Sequence, residues 1–330
     1  MLDRNPEMPL HTARHMQSLG KLTDDISSTI SPGSRVGYVD YPMHINVGDL
    51  LIFLGAMDFF KWNKNSIPVS FCLYDAKSRA FDALEETDVI ACHGGGNFGD
   101  IYPKHQQLRE NIVQAFPNKP VVIMPQSFHF GSDDAMRQSA SIFSKHDNVT
   151  IYVRDLPSFE IARNYFTDKV ILCPDLAHRL YDGFAPIREK ISQQENKSLI
   201  PFLLMRRDIE AAPVSSQSSD EAPAYDWTDI MSFAEKLQIE RHRLRTKVSG
   251  SINRPNANIL FGYHETIRSV VEAIALRIGE HNPWMTSRLH GAILGLLLER
   301  KVVLSDNSYG KNSRYFAQWG KALVTLKKTK

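Results

Sequence analysis

Only three cysteines occur in the 330 residues, at positions 72, 92 and 173, with no C-x-x-C pair among them. An odd, scattered set excludes a disulfide framework and the usual thiolate zinc sites. Each sits among apolar residues, which predicts buried thiols in a reducing compartment. No apolar run reaches the ~18 residues a membrane-spanning helix needs. The polar start MLDRNPEMPLHTARHMQ also lacks the apolar core of a cleaved export signal. An excess of charge of one sign is missing too: 39 Lys and Arg against 37 Asp and Glu leave a formal net charge of +2, with the bases spread through the sequence and no basic stripe visible apart from the short tail LKKTK. That distribution carries no electrostatic footprint for nucleic acid. These absences predict a cytoplasmic protein without a membrane span, still able to work at the inner face of the membrane beside a membrane-bound partner.

What the chain does have is alternation. RVGYVDY (35–41), VSFCLYD (69–75), DVIACH (88–93), VVIMPQS (121–127), VTIYVRD (149–155) and VILCPD (170–175) are β-branched runs with polar ends, the pattern of parallel strands buried on both faces. Helical patterns lie between them. In one, Leu108, Ile112, Val113 and Phe116 share a face, and Pro103 stands in the first turn, where a helix tolerates it. Such repetition predicts an α/β fold with a doubly wound parallel sheet. A second lobe begins near SLIPFLLMRRD (198–208) and continues through the helix carrying Ile267, Val270, Val271, Ile274 and Ile278 on one face, then PWMTS (283–287), RLHGAILGLLLER (288–300) and KVVLSD (301–306). The reading is an N-terminal lobe over 1–190, with 1–33 as an extension, and a C-terminal lobe over 191–330. Within the latter, 211–226 reads as a loop and 209–260 as an irregular segment.

Residues 91–102, ACHGGGNFGDIY, set Gly94, Gly96 and Gly99 at G-x-G-x-x-G spacing. In a dinucleotide-binding fold that loop follows the first strand, and an acidic residue ends the next. Here it follows the third candidate strand, and the next strand ends in Met124-Pro125-Gln126, so the nicotinamide reading loses its discriminating feature. Gly94, Gly95 and Gly96 still offer a backbone that a ligand can approach at a strand's carboxyl end, with Asn97 and Asp100 beside it. The ordinary alternative is a tight strand-to-helix turn.

TSRLHG (286–291) ends a strand and opens a helix, with Thr286 or Ser287 as N-cap and Arg288 and His290 in the first turn. That turn already carries unpaired N–H groups and roughly half a positive charge. A guanidinium and an imidazole added there point to an anionic ligand: Arg288 suits a phosphate or carboxylate, and His290 suits proton transfer. Alternatively, Arg288 pairs with an acidic side chain and His290 packs in the core. Arg206-Arg207-Asp208 ends the first strand of the second lobe and aims an arginine at the same crevice if both strands share one parallel sheet. An ordinary surface pair is the other reading. Asn46-Val47-Gly48-Asp49 opens the first long helix, with Asp49 a candidate N-cap and a candidate proton acceptor.

In their order and spacing these pieces resemble the polysaccharide pyruvyl transferase family from about residue 34 to 320: N-x-G-D at 46–49, HGGGNFGDIY at 93–102, PKHQQLRENIVQAFPNKPVVIMPQS at 103–127, YVRD at 152–155, CPD at 173–175, the strand-end arginine at 206–207 and SRLHGAILGL at 287–296. The resemblance implies two Rossmann-like lobes facing each other across a cleft, glycosyltransferase-B-like. It further implies transfer of the enolpyruvyl skeleton of phosphoenolpyruvate onto two sugar hydroxyls, giving a pyruvate ketal in exopolysaccharide or other glycan synthesis and free phosphate. Carried over by motif, Ser287, Arg288, Leu289 and His290 bind the donor, with His290 the acid. Arg206 or Arg207 supplies the second donor arginine, and Asp100 or Asp49 an aspartate. Gly94, Gly95, Gly96, Asn97 and Asn46 line the cleft toward the acceptor. Phosphoenolpyruvate enters as co-substrate, the sugar is an oligosaccharide, lipid-linked or polymeric acceptor, and no resident cofactor or metal is expected. Two rival readings stand beside this one: a metal-independent nucleotide-sugar glycosyltransferase, since no D-x-D motif occurs, and a non-catalytic glycan-binding homologue.

Overall fold

Short β-branched runs joined by helices can pair only in parallel, because each helical crossover returns the chain to the same edge direction. The computed structural model, which describes residues 10–76, 78–194, 200–208, 210–211, 223–252, 257–308 and 310–327, is built this way twice. The first sheet contains β1 (Arg35–Val39), β2 (Ser66–Phe71), β3 (Val89–Cys92), β4 (Gly95–Gly99), β5 (Val121–His129), β6 (Val149–Val153) and β7 (Val170–Leu172). Its order is β2-β1-β3-β5-β6-β7, with β4 paired to β5. The second contains β8 (Phe202–Leu204), β9 (Ala224–Tyr225), β10 (Trp284–Thr286), β11 (Val302–Leu304) and β12 (Thr325–Leu326), in the order β12-β11-β10-β8-β9. All the pairings are parallel. The chain reverses its direction of travel between β1 and β3 in one sheet and between β8 and β10 in the other, and such switch points are where open α/β sheets leave a crevice.

The helix Val47–Trp62 is buried along most of its length. It touches both Leu289–Leu297 and Ala257–Ile278, so apolar residues on all its faces have partners. One buried cluster runs through it from Tyr38 to Leu204 and Leu294, while the opposite face of the first sheet holds a second cluster around Ile112, Ile123 and Phe143. The apolar faces anticipated at Leu108, Ile112, Val113 and Phe116, and at Ile267, Val270, Val271, Ile274 and Ile278, are buried. So are all three cysteine thiols, and burial pushes that of Cys92 up to about 12. Among the described residues no helix is long and apolar enough to cross a membrane.

Three expectations change. The glycine stretch, read as a loop at the carboxyl end of the third strand with a tight turn as its alternative, is itself an extended strand, β4, seated on β5. Within 209–260 the chain is regular where it is described: helices run over Trp227–Ile230 and Phe233–Ile252. Most of the expected loop, 212–222, lies outside the described residues, as do 1–9 and the terminal 328–330. Asp49 does not cap the first long helix; Asn46 does, accepting the Gly48 N–H at 3.0 Å.

Candidate active site

A cavity of about 260 Å³ is lined by residues of β4 and of the segments after β1 and β4 in the first sheet, and by residues that follow β8, β9, β10 and β11 in the second. Both switch points therefore contribute to one site.

His290 enters it from the second sheet. Thr286 Oγ1 donates to Leu204 O at 2.7 Å and accepts the Arg288 N–H at 3.0 Å, which turns the chain sharply after β10. The N-cap of helix Leu289–Leu297 is consequently Arg288 itself, with no side-chain cap, and not Thr286 or Ser287. Ser287 instead accepts the Arg206 N–H at 2.8 Å and ties the ends of β8 and β10 together. His290 Nε2 lies 3.1 Å from Asp175 Oδ2, an oxygen that the Arg154 guanidinium also holds. Burial alone would raise the Asp175 carboxyl, but His290, Arg154 and the Ala177 N–H hold it well below the usual carboxylate range. With Asp175 anionic, Nε2 is the nitrogen that donates to it, and Nδ1 has no hydrogen-bond partner among the described residues. The ring lies against Gly48, where a Cβ would come within 2.9 Å of Nδ1; a side chain at 48 would displace the imidazole.

Three cations share the cavity, Arg288 buried and Arg206 and Lys311 mostly so, with side chains 8%, 13% and 10% exposed. Desolvated charges require counter-charges, and each has one. Arg288 grips Asp226 with two hydrogen bonds of 2.5 and 2.6 Å and reaches Asp208 at 3.1 Å. The carboxylate pairing weighed as an alternative thus exists, while Arg288 still lines the cavity; its Nη1 has no partner among the described residues. Arg206 pairs with Glu210, and Lys311 Nζ stands 3.8 Å from the same carboxylate. Burial lowers the Lys311 ammonium, and Glu210 opposes the shift. Arg207, by contrast, points outward, bonding Asp229 at 2.9 Å and the Ala224 carbonyl at 2.5 Å. Of the two adjacent arginines, only Arg206 lines the cavity.

The glycines are explained by protein atoms. A Cβ on Gly96 would sit 2.2 Å from Lys311 Nζ, so the bare backbone admits a lysine; on Gly99, at φ +133°, it would strike His129 O of β5 at 1.7 Å. Gly96 and Asn97 line the cavity, and Gly94 and Gly95 do not. Asn97 Oδ1 accepts from Arg109 at 2.5 Å. Leu289 and Asn46 also line it. Asp49 does too, its carboxylate accepting from Asn46 at 2.8 Å and facing His44 at 3.5 Å. Burial would raise Asp49, but His44, His290, His93 and Lys311 together keep it below its ordinary value. Asp100 does not line the cavity: its carboxylate is occupied by the N–H groups of Gly131, at 2.8 and 2.9 Å, and Ser132, at 3.0 Å. It pins the loop after β5.

Lys311, Asp175, Arg154 and Glu210 were not singled out by sequence reasoning. Asp175 stood in the CPD motif without a role, and Lys311 follows the end of β11, where a strand-end rule applied to every strand would have flagged it.

The polysaccharide pyruvyl transferase family profile matches residues 46–309. Among curated proteins, EpsO of Bacillus subtilis (strain 168), provisionally named a pyruvyl transferase, is 35% identical over 314 residues, covering 92% of this chain and 91% of that one. Pyruvyl transferase 1 of Schizosaccharomyces pombe (strain 972) is 31% identical over 150 residues, 43% of this chain and 37% of that one. A crystal structure of a Klebsiella pneumoniae protein of uncharacterised function superposes with a TM-score of 0.55 at 20% identity, covering 94% of this chain and 98% of that chain; it shares the mixed α/β fold. With most of its length matched by the family profile and a full-length relative at this level of identity, the chain belongs to the polysaccharide pyruvyl transferase family.

Proposed function

We propose that this protein transfers the three-carbon skeleton of phosphoenolpyruvate onto two hydroxyls of a sugar, forming a cyclic pyruvate ketal and releasing phosphate. The two sheets act in this reading as facing glycosyltransferase-B-like lobes, divided near residue 190. The observation that carries it is the Asp175-bound His290 in one cavity with Arg206, Arg288 and Lys311. A donor bearing a phosphate and a carboxylate suits separated cations, and Arg288 Nη1 and the loosely held Lys311 ammonium have donors to give it.

Protonated His290 delivers its proton to C3 of the donor, creating a methyl group and positive charge at C2. Asp175 fixes the ring and balances its charge while it is protonated. One sugar hydroxyl adds to C2, the C2–O bond to phosphate breaks, and the second hydroxyl closes the ketal. One hydroxyl proton leaves on the phosphate and the other restores His290. The buried cations stabilise the departing phosphate in a poorly solvated site.

The test is ligand-induced thermal stabilisation. Phosphoenolpyruvate at 100 times its Kd is expected to add about 2.7 kcal/mol. Lys311→Met, which keeps the bulk and removes the charge, weakens that binding at least about tenfold, ~1.4 kcal/mol. Stabilisation by nucleotide sugars alone would transfer the case to the glycosyltransferase reading.

A further inference from the structure

Ketal formation needs a base as well as an acid, and neither aspartate considered from the sequence suits that task. Asp100 is engaged by backbone N–H groups outside the cavity. Asp49 lines the cavity, but its basicity is reduced by the cationic and imidazole groups that hold its carboxyl below its ordinary value.

Two further imidazoles line the cavity, His44 and His105; both nitrogens of His44 have neighbours, Nδ1 the Asn46 N–H at 3.4 Å and Nε2 the Asp49 carboxylate at 3.5 Å, so neither is left open to an acceptor hydroxyl. His105 stands in the first turn of helix Pro103–Ala115, immediately after β4. Its Nδ1 lies 2.7 Å from Asp40 Oδ1, while Asp40 Oδ2 accepts from Arg109 Nη2 at 3.0 Å. Asp40 and Arg109 are both fully buried, and Arg109 is itself anchored on Asn97, through the carbonyl at 3.1 Å and Oδ1 at 2.5 Å. Asp40 follows β1 with φ at +62°, a left-handed conformation uncommon for a residue with a side chain. Such backbone is retained where the surroundings over-determine it, often at functional sites. Because both Asp40 oxygens accept, Nδ1 of His105 carries the proton. Nε2 is then the basic nitrogen, without a hydrogen-bond partner among the described residues, on a side chain that lines the cavity. The arrangement is the His–carboxylate logic of a general base, with the carboxylate setting tautomer and orientation.

We infer that His105 is the general base toward the sugar acceptor, resting on the pyruvyl transfer proposed above. Nε2 takes the proton of the attacking hydroxyl as its oxygen forms the bond to C2; the O–H bond breaks, and the proton passes from His105 to the departing phosphate. Acid and base then reside on two histidines, His290 held by Asp175 and His105 held by Asp40. Each is set by its own arginine-backed carboxylate. The acceptor is a vicinal or otherwise closely spaced diol with its first hydroxyl directed at His105.

His105→Gln is the test, read by acceptor-dependent phosphate release, by KM for phosphoenolpyruvate and by donor-induced thermal stabilisation. The expected result is a kcat lower by about 10²–10⁴-fold, with donor KM and stabilisation unchanged within about threefold. In His105→Ala, added imidazole restores part of the lost turnover, which a merely structural role would not allow. Asp40→Asn provides a second line if the first variants fold poorly, since asparagine tolerates left-handed backbone; it lowers kcat while leaving donor binding intact. Retention of kcat within about fivefold in His105→Gln, or of full activity in Asp40→Asn, overturns the inference. If the wild type releases no phosphate from phosphoenolpyruvate with any diol acceptor and is not stabilised by the donor, pyruvyl transfer itself falls, and this inference with it.

Discussion

Replacing His290 by glutamine is expected to lower acceptor-dependent phosphate release by about 10²–10⁴-fold, the usual contribution of a positioned acid, while the melting temperature stays close to that of the wild type. The two halves of that expectation have separate causes. A carboxamide nitrogen can still donate to Asp175 Oδ2, which keeps Arg154, while Oδ1 keeps the Ala177 N–H. The buried carboxylate therefore stays satisfied. What disappears is the Nδ1 side of the ring, which lies against Gly48 and in the proposed mechanism delivers the proton. Donor-induced stabilisation should persist, because Arg206, Arg288 and Lys311 are untouched. Steady-state kinetics and thermal melts on the same preparation check both halves. Turnover within tenfold of the wild type would remove His290 from the acid role.

Asp175→Asn should have the largest effect on stability, about 3–5 kcal/mol, the range for breaking a buried ion pair from one side. Asp175 and Arg154 are completely buried. Without the carboxylate, the Arg154 guanidinium keeps a hydrogen bond to the neutral Ser127 Oγ at 3.1 Å, and a buried charge remains uncompensated. The pH dependence has a definite sign. The carboxyl of the folded protein lies below its unfolded value of 3.8, so its stabilisation is fully present above about pH 4 and is lost as pH falls toward the folded-state value. The variant, already lacking that contribution, should lose less stability below pH 4 than the wild type does. Urea unfolding at several pH values measures both quantities; a deficit under about 1 kcal/mol at pH 7 would contradict the ion-pair account. Turnover should fall as well, because an amide no longer balances a protonated His290.

How much of this was legible beforehand depended on whether a segment announces itself through side-chain periodicity. The strands at 35–39, 89–92, 121–129 and 149–153 could be read because both of their faces are buried, leaving continuous apolar runs. Gly95–Gly99 could not, because a strand of glycines has almost no side-chain pattern, and its pairing with β5 rests on backbone approach. Helix Phe233–Ile252 escaped for the opposite reason. Its buried positions include Glu235, His242 and Thr246 beside Ile239, whereas Phe233, Leu244 and Val248 are exposed. The usual rule of apolar inside and polar outside therefore misleads there. In the site, Arg288 and His290 were visible as two charged residues at one helix start. The choice between Arg206 and Arg207 was not, since neighbouring residues past a strand end diverge and only the fold shows which turns inward. Lys311, twenty-one positions beyond His290 in the chain, reaches Gly96 through folding alone.

Transfer of pyruvate from phosphoenolpyruvate to a diol in this cavity is tested most directly by running the reaction itself in heavy water. Purified protein, phosphoenolpyruvate and a panel of galactosides, mannosides and glucosides are incubated in D2O; phosphate is assayed and the glycan product is weighed by mass spectrometry. The account predicts acceptor-dependent phosphate release and a ketal whose methyl group carries one deuterium, placed at C3 by the acid. Phosphate release without a ketal, or a product that retains the enol methylene, would contradict it.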